Sequence, residues 1–121
     1  MRDEARQPED VRQEHRLRPR AEVGKVYREG RAWKNRAAAL YVLCSPGKKT
    51  QVAFAVPKRL GKASKRNLLR RRFREVYRKC QPSVPPGMRM LFMARAHAAS
   101  LTFCEIEDSV MDLLRRSGVV Q

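Results

Sequence analysis

Residues 62–80 constrain the fold more than any other stretch, because they read as one long helix with two incompatible sides. Leu69, Phe73, Val76, Tyr77 and Cys80 recur at i, i+4, i+7, i+8 and i+11. At about 100° per residue they gather into a single stripe able to dock on a sheet. On the same projection Asn67, Arg70, Arg71, Arg74 and Arg78 fall on an arc facing away. Such a helix needs an apolar layer beneath it and either water or an anion above it.

Charge favours the anion. The chain has 121 residues and a formal charge of +16, but the excess is not spread evenly. Residues 58–79 hold 11 Lys/Arg against Glu75 alone, a net +10, whereas residues 80–121 hold four of each sign. A merely solvated helix face mixes signs so that neighbours pair. A block with one acid among eleven bases fits a localised polyanion site. Guanidinium groups three and four residues apart can meet successive phosphates through forked, charge-assisted bonds.

The flanks supply the layer the helix needs. Val23, Val26 and Tyr27 sit at i, i+3, i+4 between Pro19 and Gly30, predicting a short amphipathic helix. Residues 37–44 end in Leu-Tyr-Val-Leu-Cys and read as a strand, residues 51–56 as a second one alternating Val52, Phe54 and Val56 with alanines. Ser45-Pro46-Gly47 between them has turn composition, which predicts a hairpin. Residues 81–87 carry three prolines and form a loop. Met88 to Ala94 is a further strand, apolar enough to lie inside a sheet. Thr102-Phe103-Cys104-Glu105 matches a capping box, and Phe103, Ile106, Val110, Leu113 and Leu114 give the last helical stripe, stopped at Gly118. The residue-level expectation is helix, hairpin, helix, strand, helix: a single α+β sandwich with helices on a small sheet. Residues 1–15 are charged and lack apolar periodicity, so a disordered tail is expected there, with the domain over 16–119.

Other chemistry is harder to find. The apolar runs are far shorter than the roughly 20 residues of a membrane span, and the acidic start does not resemble a signal peptide, so no membrane partner and a cytoplasmic setting are expected. Cys44, Cys80 and Cys104 are widely spaced among apolar neighbours and read as buried thiols; neither His15 nor His97 completes a zinc spacing. Glu105, Asp108 and Asp112 share a helix face, read as a solvated face rather than a carboxylate active site. No glycine-rich phosphate loop or nucleophile elbow occurs, so no catalytic residues and no protein-held metal are expected. Tyr27, Tyr41 and Trp33 could be core residues or platforms for stacked bases. Residue by residue, the reading is an RNA-binding protein. A ribosomal or ribosome-assembly protein remains an alternative, and duplex DNA is disfavoured without a helix-turn-helix or a dimerisation heptad.

A family resemblance narrows this. Gly61-Lys62-Ala63-Ser64-Lys65-Arg66-Asn67, followed by Arg70-Arg71 and Arg74, closely resembles the G-K-A-V-x-R-N-x-x-K-R-x-x-R signature of the bacterial ribonuclease P protein component. Arg16-Leu17 with Val23, Val26, Tyr27 and Gly30 is similar to its N-terminal segment, Asn35-Arg36 with Leu40-Tyr41 to its first long strand, Val56-Pro57-Lys58-Arg59 to its V-S-K-K, and Met90 to Arg95 to its apolar strand ending in Arg. Three positions depart from the pattern: Val23 replaces a Phe, Pro57 a Ser and Ser64 a Val.

The resemblance implies an αβββαβα sandwich with a left-handed βαβ crossover (ribosomal-protein-S5-like), although the general handedness rule for such crossovers would favour the opposite hand. It implies the protein subunit of a ribonucleoprotein endonuclease that removes the 5′ leader of precursor tRNA, with the active site and most Mg2+ on the RNA subunit. Lys58, Arg59, Lys62, Arg66, Asn67, Arg70, Arg71, Arg74 and Arg78 would then contact the catalytic RNA. Val23, Tyr27 and Tyr41 would line a cleft for the leader of the precursor tRNA. No stable protein partner is implied.

Overall fold

A computed structural model describes residues 20–120. The N-terminal tail and the Arg16-Leu17 and Pro19 positions lie outside the described residues. Helix α1 (Arg20–Glu29) leads into strands β1 (Arg31–Lys34), β2 (Ala38–Cys44) and β3 (Gln51–Ala55), then helix α2 (Ala63–Cys80), strand β4 (Met88–Ala94) and helix α3 (Phe103–Arg116). The four strands form one sheet in the order β1-β2-β4-β3. β1–β2 and β2–β4 are antiparallel, and β3–β4 is parallel.

The expected hairpin is therefore overturned: β2 and β3 are consecutive in the chain but not neighbours, because β4 lies between them. Composition explains why. β4 buries Met90, Leu91 and Phe92 in succession, and a strand apolar on both faces belongs in the middle of a sheet. The residues after Cys44 turn as expected but bridge over β4. They are stitched to its lead-in: the Ser45 amide donates to the Gly87 carbonyl at 2.7 Å and Thr50 Oγ1 to the Pro85 carbonyl at 2.6 Å. The parallel β3–β4 pair requires a long crossover, which α2 provides. β1, which residue patterns did not separate from β2, completes the three consecutive strands implied by the family order.

Alternation along the strands makes two unequal cores. Leu40, Val42, Val52, Met90 and Phe92 face α2 and α3, and meet the buried Leu69, Phe73, Val76, Tyr77 and Cys80 of α2 with Ile106, Val110, Leu113 and Leu114 of α3. All five residues of the predicted α2 stripe are buried as expected. The opposite face is covered by α1 alone. There Val26 and Leu91 are buried, but Val23, Tyr41, Leu43, Ala53, Ala55 and Met93 are only partly covered.

Two local devices hold the frame. Gly30 turns the chain from α1 into β1 where a Cβ would lie 2.6 Å from the Val26 carbonyl oxygen and 2.9 Å from that of Val42, so only glycine fits. Asn35 ties β1, β2 and α3 together. Its Oδ1 accepts from the amides of Ala37 and Ala38, both at 3.0 Å, while Nδ2 donates to the Ser109 carbonyl at 3.0 Å and to Asp112 Oδ2 at 3.1 Å. The capping box at Thr102 and Glu105 forms as predicted.

One expectation about side chains fails. Only Cys80 is buried; Cys44, at the last position of β2, and Cys104, in the first turn of α3, are exposed. An apolar neighbourhood in sequence did not become one in space, because both lie at element ends. The acidic face of α3 is solvated as expected at Glu105 and Asp108, with Asp112 half-buried. Asp112 bonds to Asn35 and, at 3.3 Å, to Arg116, and Glu105, Asp108 and Asp112 line a cavity of about 340 Å³ beside Asn35 and Arg36.

Candidate nucleic-acid interface

The cationic site begins where β3 ends. A single 3₁₀ turn at Lys58–Leu60 buries Leu60 and leaves Lys58 and Arg59 exposed. Gly61, at φ 139°, takes a backbone conformation that side chains disfavour, and its carbonyl receives Arg66 Nε at 3.1 Å. Lys62 caps α2 in an extended conformation without a side-chain bond, leaving the ammonium exposed. Arg70 Nη1 donates to Asn67 Oδ1 at 2.7 Å, fixing one guanidinium against the amide one turn before it.

The arginines do not all face away from the sheet. Asn67 and Arg71 are exposed as expected, but Arg70, Arg74 and Arg78 are half-buried. Arg66, Arg70 and Arg74 follow at four-residue spacing along one flank of α2, and the Arg74 guanidinium lies 6.0 Å from the centre of the Phe54 ring on β3. Arg78 is half-buried with its Nε enclosed. The projection missed this because guanidinium stems are long enough to cover the margin of an apolar stripe while the head stays wet. Partial burial, then the neighbouring Arg66 cation, lowers the Arg70 pKa from its ordinary value. Two cations held close together in this way are a standing invitation to a phosphate.

The second set of predicted residues lies on the other face of the sheet. Tyr27 is 50% exposed on α1, and its ring sits 5.0 Å from that of Tyr41 on β2, tilted by 51°. Burial, then the neighbouring Tyr27, raises the Tyr41 pKa, so the phenol keeps its proton at neutral pH. Val23 is partly buried in the same small core. Tyr27 and Tyr41 thus form an aromatic pair where α1 crosses the sheet, Tyr27 half exposed and Tyr41 partly buried.

Two residues were not singled out from sequence. Arg95, just past β4, is exposed; its charge acts on Tyr41 and its Nη1 donates to the Asn35 carbonyl at 2.9 Å. Phe54 stacks on Phe92 at 5.8 Å while taking Arg74 over its own ring. Neither leaves a local sequence signal, since Arg95 shares a sheet face with Tyr41 only once β2 and β4 pair. Among the described residues no group of three or more His, Cys, Asp or Glu could hold a metal ion, and no helix is long and apolar enough to cross a membrane.

The motif that carries the resemblance lies on α2, the crossover helix packed on the face of the sheet opposite α1, and the family model for ribonuclease P matches residues 11–118. The chain belongs to the ribonuclease P protein family. It is 38% identical over 112 residues to the ribonuclease P protein component of Symbiobacterium thermophilum, covering 92% of this chain and 97% of that one. It is 39% identical over 114 residues to that of Roseiflexus castenholzii, covering 92% of each. In fold it is similar to the Staphylococcus aureus RNase P protein, with a TM-score of 0.79 at 24% identity over 88% of this chain and 98% of that one. The Thermotoga maritima RNase P protein superposes with a TM-score of 0.76 at 24% identity, covering 84% and 96%. As a ribonuclease P protein component the chain acts with ribonuclease P RNA within a holoenzyme for tRNA processing.

Proposed function

We propose that the chain holds two RNA strands on two sides of its sheet and assists cleavage without performing it. The α2 flank, with Lys58, Arg59, Lys62, Arg66, Asn67, Arg70, Arg71, Arg74 and Arg78, takes phosphates of the catalytic RNA. The cleft rimmed by Val23, Tyr27 and Tyr41 takes the single-stranded 5′ leader of precursor tRNA, with Arg95 supplying a cation beside the stacking pair. The observation that supports this most directly is the bonding of Arg66 to Gly61 and of Arg70 to Asn67, which presets guanidinium geometry and reduces the ordering cost of binding.

Chemistry at the scissile phosphate belongs in this reading to the RNA subunit, with its Mg2+, in the cytoplasm. The described residues offer no cage for that ion, so no step is assigned to a protein-held metal. The protein's part is electrostatic and positional: it neutralises phosphates on both RNAs and so lowers the magnesium needed for a productive complex. The test is cleavage of precursor tRNA by the cognate catalytic RNA at low magnesium, with and without protein. The mature 5′ end should form faster with protein present; equal rates would sink the proposal.

A further inference from the structure

β1 forms the sheet edge opposite β3, and its sequence, Arg31-Ala32-Trp33-Lys34, is unusual for an edge. Exposed cations on an edge strand are ordinary protection against pairing with another chain. A partly exposed tryptophan is not protection, since it adds an apolar surface where none is wanted. Trp33 packs its inner side against the large core, and the Arg31 guanidinium lies 5.5 Å from the centre of its ring. From the last turn of α3, Arg116 reaches across and donates Nη1 to the Lys34 carbonyl at 2.9 Å and to Asp112 at 3.3 Å. That carboxylate is already shared with Asn35 Nδ2, so it does not cancel the exposed Arg31, Lys34 and Arg116 together. One nitrogen of Arg116 is engaged, and a guanidinium has five N–H donors.

We infer that the β1 edge is a third RNA-contact surface, for a single-stranded segment of the ribonuclease P RNA, with a base or ribose against the Trp33 ring and phosphates at Arg31 and Arg116. The inference rests on the ribonuclease P reading for its partner but not on the α2 site. β1 and β3 are separated by three strand spacings, roughly 14 Å in all, so one face of α2 and this edge can meet different segments of a large RNA at once. An aromatic ring with cations beside it is the chemistry that takes single-stranded nucleotides without reading their sequence.

Trp33 is the sole tryptophan of the chain, so its emission reports on this surface directly. The full chain is titrated with ribonuclease P RNA from the same genome, then with precursor tRNA, while fluorescence and filter binding are followed across a salt series. Trp33 emission should be quenched on binding. Arg31→Gln, which removes no backbone hydrogen bond and whose folding is checked by thermal melting, should weaken affinity about threefold to tenfold and lower the log–log salt slope by about one. Quenching by the catalytic RNA alone supports the surface, whereas quenching that appears only once precursor is added would overturn its assignment to the catalytic RNA. An Arg70→Ala/Arg74→Ala protein should bind more weakly yet still show the quench at saturation. If wild-type protein binds RNA with unchanged Trp33 emission, or Arg31→Gln keeps the full slope, the edge is not a contact although the α2 site stands. No RNA binding at all would overturn both readings.

Discussion

The two faces of the sheet are made from alternate residues of the same strands, yet they do different work. One face is sealed by two helices and contains the rings of Phe92 and Tyr77; Phe54 and Tyr77 lie 5.9 Å apart and Tyr77 and Phe92 6.0 Å apart. Burial there drives the Tyr77 phenol well above its ordinary pKa. The other face has a single ten-residue helix over it and leaves an aromatic pair half in solvent. A sheet needs only one well-packed face for stability, so the second is free to keep surface that a ligand can cover.

The largest effect should separate the two faces by stability. Phe92→Ala opens the sealed core and should cost about 3–5 kcal/mol, whereas Met93→Ala, one residue on and facing α1, should cost about 1 kcal/mol. Urea unfolding of both variants measures this; equal losses would mean that the α1 face is as structural as the other. Next in size is the binding counterpart. Tyr27→Ala should weaken binding of a leader-bearing precursor by about 1–3 kcal/mol and leave binding of mature tRNA, which has no leader, unchanged. A loss common to both RNAs would remove the leader from the cleft.

The smallest effect concerns the thiols and sharpens the boundary of the sealed face. Burial, then Glu107, raises the Cys80 pKa, and its Sγ sits 3.1 Å from the Met111 sulfur. Cys44 and Cys104 should therefore label rapidly with a thiol reagent at pH 8, and Cys80 only at the rate of opening. The linkage has a definite sign: a raised folded pKa makes this contribution fully present below the unfolded thiol value and lost as pH rises through the folded one. A Cys80 that labels as fast as Cys44 would show that the large core breathes.

Much of this was legible in the chain. The periodicity of Leu69, Phe73, Val76, Tyr77 and Cys80 determined α2 and its docked side, because helical spacing is a property of the backbone and needs no partner to be read. The Thr102–Glu105 box determined the start of α3, since a cap is satisfied within one turn. The Arg66-Asn67…Arg70-Arg71…Arg74 pattern and its flanks pointed to the family. Strand neighbours were another matter. Short loops favour hairpins, but β4, apolar on both faces, displaced β3 from β2, an outcome set by competition for the sheet centre between segments far apart in sequence. Long-range packing likewise decided that Arg95 shares a sheet face with Tyr41, that Arg74 covers Phe54, and that Arg116 meets β1. Local physics specified which side of the arginine helix is oily; only the assembled sheet decided where its guanidinium groups come to rest, because their long stems lie along whatever surface the neighbouring strand presents.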